Sequence, residues 1–458
     1  HMNPSKCASL RTEVTSKKKL WIVNPHSYLK VQNSNIRTLN IEETYKYLGT
    51  EVGPKKIVTS IASFIQSSLH AISRAPLKPF QRMYILRTHV LPSLVHHLTF
   101  DFLTAADLQI RAAVRRWLRL PKDTPVPFFH APLRSGGLGI LQLRQWAPIL
   151  RRKRLNSLLT QAKYGNDVFL MNVLQESLSV LSEIRKFGRL GSGIEGAQKS
   201  LQLKTTENLY KSVDGYGLKS FSSGIGLSDW IVDGVNRVPS DVFIKCIKVR
   251  AAVLYNKLRA SRGRPLADTS CDAGCRIPES LGHMIQICPK SDGPRRERHD
   301  IIVRKLEEKF QSKGFITKVE PRIKTEMGLR IPDLCAWKDD QYFVCDVSVV
   351  SDLANLNEEH DRKIRKYDIR DVHAWMKENN PGQALNLKPV ITAFVCNWRG
   401  VMSEKSYKFW TSFGVGKKLL TYYILSVLLN TYNIWKFFKC CTWRVGRRRN
   451  KLKNVGKR

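Results

Sequence analysis

At 458 residues, 42% of them hydrophobic, the chain has room for roughly three domains with packed cores, which excludes a disordered tail. Its 77 lysines and arginines against 38 acids leave a formal charge of +39. A surface so unbalanced repels itself unless a polyanion neutralises it, so nucleic acid is the expected partner and a small-molecule substrate is not. Ten unevenly spaced cysteines with no N-terminal signal pattern exclude a secreted disulfide scaffold and point to a reducing compartment.

In chain order, the N-terminal stretch reads as short β elements, among them Lys17–Asn24 and the aromatic run Tyr45–Val52, interrupted at Gly49. From Val58 to Leu120 the spacing turns helical: Ile61, Phe64, Ile65, Leu69 and Ile72 share one face, and Met83, Leu86 and Val90 line a second helix that Pro92 kinks or ends. A third helix, Ala105 to Leu120, puts Arg111, Arg115 and Arg119 on one face, either to track a phosphate backbone or as a solvated basic face. Leu120 to Ile140 is a Pro- and Gly-rich connector with Phe128 and Phe129 buried. Its Gly136, Gly137 and Gly139 make turns and not a phosphate loop, because no Lys-Ser/Thr follows. Residues from Gln145 to Ala260 are mainly helical, looser between Gly188 and Gly226, with a helix from Asp241 to Ala260. Arg259 to Leu266 is linker-like; its Arg259, Arg262 and Arg264 either lead nucleic acid onward or merely keep a linker soluble.

Cys271, Cys275, His283 and Cys288 are spaced C-x3-C, x7, H-x4-C. Three thiolates and an imidazole suit tetrahedral zinc, with Asp272-Ala273-Gly274 turning the chain between the first two ligands. A closed shell of four leaves no open position, so the expected Zn²⁺ is structural.

A helix opening at Pro294 and running to Lys313 is expected to expose Arg295, Arg296, Arg298 and His299. Met327–Trp337 and Gln341–Val350 then read as two strands joined by the turn Lys338-Asp339-Asp340. Asp333 falls on the first and Asp346 on the second, where an antiparallel pair brings two carboxylates to one divalent ion beside a phosphate. Asp346 interrupts an apolar strand, and an acid buried there costs several kcal/mol unless paired or metal-bound. The next helix carries Lys363, Lys366 and Tyr367, and a lysine there orients water or neutralises the phosphate. A further strand, Pro389–Cys396, completes the sheet. Leu419–Phe438 is apolar over about a membrane-spanning length, but Asn430, Thr431 and Asn433 interrupt it, so a helix packed on a domain is expected and a membrane span is not. The basic tail Arg444–Arg458 either binds phosphate or acts as a nuclear signal.

Taken together, these features resemble the C-terminal half of R2-like non-LTR retrotransposon proteins, which copy RNA at a nick they make themselves. Asn3–Leu10 (NPSKCASL) and Tyr45–Gly49 (YKYLG) are similar to the last palm segments of their reverse transcriptase; Val114–Ala131 with Gly136–Ile140 (GGLGI) is similar to the thumb and the region after it. The Cys-Cys-His-Cys group, Arg298–Asp300 (RHD), Pro332-Asp333, Asp346 and Lys363–Tyr367 (KIRKY) are similar to the family's knuckle and restriction-like endonuclease domain. The lysine does not follow Asp346 at the usual restriction-enzyme spacing, which leaves Lys363 and Lys366 both open. The polymerase's aromatic-x-Asp-Asp motif is not in its expected place, and the formal match at Trp337–Asp340 is read as coincidental. The expectation is a fragment of a larger reverse transcriptase that does not polymerise by itself.

The resemblance implies an α+β multidomain protein: a palm remnant (1–55), a helical thumb and connector (56–142), a helical linker region (143–265), a CCHC zinc knuckle (266–293), an α/β PD-(D/E)xK restriction-like endonuclease domain (294–413), and an apolar helix with a basic tail (414–458). It implies Asp333 and Asp346 as ligands of a catalytic Mg²⁺ or Mn²⁺, beside the structural Zn²⁺. The expected partners are double-stranded target DNA, element RNA and the RNA–DNA hybrid, and the expected location is nuclear.

Overall fold

The computed structural model describes residues 7–9, 12–15, 20–23, 29–31, 33–40, 42–43, 45–47, 50–52, 59–93, 103–165, 168, 171–172, 175, 193–233, 238–264, 268–382 and 386–455. Asn3–Lys6, Leu10, Lys17–Lys19, Gly49, Val58, Gly188 and Leu266 of the sequence reading lie outside them. Of the basic tail, the backbone is described as far as Val455, the end of a helix. Two compact units divide the chain: His1–Ala75 with Leu86–Ile110 and Leu143–Gly188, and Pro76–Ile85 with Arg111–Gln142 and Arg189–Arg458.

In the first unit the N-terminal β elements form two-stranded pairs, such as Thr12–Thr15 with Leu20–Val23 and Tyr45–Tyr47 with Thr50–Val52. The helix Thr59–Arg74 buries Ile65, Leu69 and Ile72, but Phe64 is 45% exposed. At roughly 100° per residue, Phe64 sits on the rim of the predicted stripe and turns to solvent. The helix Leu143–Tyr164 opens on a buried acid: Asp107 accepts hydrogen bonds from the Leu143 and Arg144 amides at 2.8 and 3.1 Å, doing from a distance what a capping side chain does locally.

In the second unit the connector folds as expected around Phe128 and Phe129, both buried, with Gly136 and Gly139 at φ of 84° and 64°. Gly137 is required by close approach, since a Cβ there would lie 2.3 Å from the Ala131 carbonyl oxygen. The predicted helix Asp241–Ala260 is corrected to α1 (Ser240–Arg250) and a short turn, Lys257–Ala260, capped by Asn256. Ala252, at φ 54°, reverses the chain between them. The linker reading of Arg259–Leu266 is also corrected for its first residues, because Arg259 is buried and ion-paired to Asp214 and Asp123, and Arg262 reaches Asp214 at 2.6 Å.

The sheet of this unit runs β2–β5–β6–β7–β8–β1, where β1 is Ile225–Gly226, β2 Ile316–Val319, β5 Leu334–Lys338, β6 Gln341–Val350, β7 Lys388–Asn397 and β8 Val401–Met402. The pair β6–β7 is parallel and its neighbours are antiparallel. The predicted strand Met327–Trp337 is two strands: β4 (Gly328–Arg330) pairs back on β3 (Ile323–Thr325) as a separate hairpin, and only β5 joins the sheet. Pro332, which has no N–H to give a ladder, lies between them. The Asp339-Asp340 turn holds, with Asp339 at φ 50°. Between β6 and β7 the chain crosses through α3 (Leu356–Tyr367) and α4 (Arg370–Glu378), and β7 realises the predicted last strand. Trp337, Tyr342, Val344, Tyr367, Val372 and Met376 form one buried cluster across β5, β6 and these helices.

Helix α2 (Asp292–Gln311) and the C-terminal helix α5 (Lys417–Val455) pack together, burying Ile424, Leu428 and Phe438. The interrupted apolar segment is thus a helix packed on its domain. Among the described residues no helix is long and apolar enough to cross a membrane.

Candidate active site and metal centre

Cys271, Cys275, His283 and Cys288 converge with all four ligand atoms within 4.8 Å of one another. His283 Nε2 lies 3.2 Å from Cys271 Sγ, and the Cys275 and Cys288 sulfurs are 3.6 Å apart. Gly274, at φ 86°, makes the turn between the first two ligands. Three soft sulfurs and one imidazole nitrogen, largely buried and at this spacing, fit a tetrahedral zinc ion. The group is tied outward on three sides. Buried Glu279 takes an ion pair from Lys439, Arg295 donates to the Cys288 carbonyl at 2.7 Å, and Gln286 donates to Val349 O of β6 at 3.3 Å.

That last bond links the knuckle to the strand carrying Asp346. The β5–β6 register pairs Leu334 with Cys345, so Asp333, one residue before β5, stands opposite Asp346. Asp333 Oδ2 accepts from the Val347 amide at 2.5 Å and from His299 Nε2 at 3.1 Å. Asp346 is 3% exposed; burial first, and the neighbouring Asp333 charge second, raise its pKa, opposed by Lys363. Its Oδ2 is ion-paired to Lys363 Nζ at 2.5 Å, and Lys363 and the Tyr367 hydroxyl both act on the carboxylate to favour its charged form. Two facing carboxylates, one of them buried, are a donor set that fits a hard divalent cation.

Helix α3 delivers the cations. Asn355 caps it through the amides of Asn357 and Glu358, and Lys363 and Tyr367 lie one turn apart on the side facing β6. Lys363 reaches Asp346, whereas Lys366 donates to the Tyr367 hydroxyl at 2.7 Å, which donates to Ile331 O at 2.8 Å. Tyr367 is buried, and burial and the Asp346 charge hold its hydroxyl protonated. The five residues Asp333, Asp346, Lys363, Lys366 and Tyr367 therefore meet at one place. His299 joins them: burial works to lower its pKa, but the hydrogen bonds and charges of Asp333 and Asp300 prevail and raise it to about 9.

Beside this group lies a cleft of about 710 Å³, lined among others by Gln286, Arg295, Arg296, His299, Glu320 and Val349. Of the arginines predicted to be exposed on α2, Arg296 is, with 78% of its side chain accessible, and Arg295 is partly so. Arg298 is corrected: it is buried, bonding Thr431 at 3.1 Å and Gln286 at 2.8 Å, because it faces the long C-terminal helix. The predicted Arg111–Arg115–Arg119 face is not continuous. Arg111 is buried on His130, Arg115 lies 4.8 Å over the Phe129 ring, and Arg119 falls just past the end of the helix Leu103–Leu118 with φ 51°. Sequence reading missed Gln286, since a lone glutamine carries no pattern.

Fold and site together define a mixed helix-and-sheet chain with a Cys3His group that fits a metal ion and a facing carboxylate pair beside a cleft. No protein-family model matches it. The chain is 31% identical over 417 residues to the retrovirus-related Pol polyprotein from the type-2 retrotransposable element R2DM of Drosophila melanogaster, covering 89% of this chain and 38% of that protein. It is 32% identical to the Pol polyprotein of a type-1 R2 element of Nasonia vitripennis, over 98% of this chain and 43% of the relative, and 29% identical to one from Popillia japonica, of which it covers 83%. The chain belongs to the R2-like non-LTR retrotransposon proteins. It spans about two fifths of the length of the first two relatives.

Proposed function

We propose that the chain is the C-terminal part of a non-LTR retrotransposon reverse transcriptase and carries its metal-dependent endonuclease, a PD-(D/E)xK-type domain over residues 294–413. It nicks double-stranded target DNA and leaves a 3′-hydroxyl from which the parent polymerase copies element RNA. The observation that carries this reading is the convergence of Asp333, Asp346 and Lys363. When bound, Mg²⁺ or Mn²⁺ supplies Lewis-acid activation of the phosphate and of a water. Asp333 and Asp346 hold it; Val347 N and His299 orient the Asp333 carboxylate. Lys363, ion-paired to Asp346, is the catalytic lysine, compensating the charge that grows on the phosphate. Lys366 acts behind it by fixing Tyr367. Arg295 and Arg296 line the cleft that receives the strand, and the knuckle, whose Cys271, Cys275, His283 and Cys288 would hold Zn²⁺, contributes Gln286 to its wall. The basic thumb and knuckle grip RNA and the RNA–DNA hybrid, in the nucleus.

A second reading is an inert nucleic-acid-binding fragment, favoured by the fact that Lys363 already neutralises Asp346. Calorimetric titration with Mn²⁺ separates the two. The endonuclease reading expects a site lost in both Asp333→Asn and Asp346→Asn, with the knuckle zinc retained; the inert reading expects no binding that depends on either aspartate.

A further inference from the structure

The β3–β4 hairpin is a two-stranded ribbon outside the main sheet. Its inward residue, Ile323, is fully buried in the cluster under α4, and its tip is held by Asp371, which accepts from the Glu326 amide at 2.7 Å. The pairing Lys324↔Leu329 puts these two side chains on the same face, and the alternation of a strand adds Arg322 and Ile331 to it. All four are exposed, Leu329 by 51% and Ile331 by 37%, and Met327 at the tip is 72% exposed. Among the described residues no ion-pair partner is recorded for Arg322 or Lys324. One edge of the face is therefore basic and the other aliphatic, and the aliphatic edge runs directly into Pro332-Asp333.

We infer that this ribbon lies in a groove of the DNA duplex next to the scissile phosphate, with Arg322 and Lys324 on backbone phosphates and Met327 and Leu329 against the bases. The inference rests on the endonuclease reading for its choice of partner. A two-stranded ribbon fits a duplex groove, and exposed aliphatic side chains beside paired cations suit contact with base edges flanked by phosphates. The charge complements a polyanion, and the anchoring of Ile323 and Glu326 keeps the face rigid.

The test uses the full chain carrying Asp346→Asn, so that DNA is bound and not cut, and follows binding of a labelled duplex as salt is raised. Arg322→Ser with Lys324→Ser lowers the slope of log affinity against log salt by about 2, as two phosphate contacts are lost. Met327→Ser with Leu329→Ser weakens binding at least ~3-fold at an unchanged slope, because an apolar contact and no charge is removed. Equal affinity and slope in parent and both variants overturns the inference. So does a loss in the charge variant alone, which reduces the ribbon to an electrostatic surface. Plasmid nicking with native Asp346 is scored in parallel. A parent that does not nick while both binding effects appear removes the endonuclease reading and keeps the ribbon; a parent that nicks while its ribbon variants bind and nick alike removes the ribbon only.

Discussion

Asp346 is flanked along β6 by buried Cys345 and Val347, and Lys363 is the cation within ion-pair distance of it. Lys366 is one step removed, on Tyr367. Lys363→Met is therefore expected to slow single-turnover nicking by at least ~100-fold at matched DNA binding, and Lys366→Met by about 10-fold or less. The reverse order would transfer the catalytic role to Lys366. His130 carries a second prediction. Its Nδ1–H donates to the Ile140 carbonyl at 2.9 Å, so Nε2 is the acceptor facing Arg111. Burial lowers its pKa to about 4, so the folded chain prefers the neutral ring. Its contribution is complete above the unfolded value near 6.5 and is lost as the pH falls toward 4. Urea unfolding at pH 5 should show about 2 kcal/mol less stability than at pH 7.5 from this group, a difference that His130→Asn removes. An unchanged pH dependence in that variant contradicts the assignment.

At the scale of elements, the parts legible in the sequence are those whose signal is local. The Cys-Cys-His-Cys spacing, the Asp339-Asp340 turn and the apolar strand broken by Asp346 each carry their own pattern, and each appears where that pattern puts it. What was illegible depends on partners distant in sequence. Arg298 looks like any basic residue of a polar helix until the C-terminal helix supplies Thr431, and Arg259 looks like linker until Asp214 meets it. Gly217 is a further case: a Cβ there would lie 1.8 Å from the Asp352 carboxylate that pairs with buried Arg399. Gly217→Ala is expected to cost about 2 kcal/mol, read as a lower urea midpoint, with no change in an exposed control such as Gly416→Ala, whose Cβ meets nothing within 4 Å. Gln286 connects elements too, from knuckle to β6. Stripping zinc with a chelator should therefore raise amide exchange along Val347–Val350 as well as in the knuckle, and a response confined to 271–288 contradicts that coupling.

For the whole molecule, the charge of +39 made nucleic acid the expected partner before any fold was known, and the relatives are R2 Pol polyproteins. Charge alone does not separate a nuclease from a binding protein, and the proposed nuclease stands or falls with the Asp333–Asp346 pair. The most direct measurement is nicking of supercoiled plasmid by the purified chain with Mg²⁺ or Mn²⁺, beside Asp333→Ala and Asp346→Ala proteins that still bind DNA. Open-circle product is expected from the parent and none from either variant. Equal binding with no cleavage by any of the three, or equal cleavage by all, would contradict the endonuclease reading.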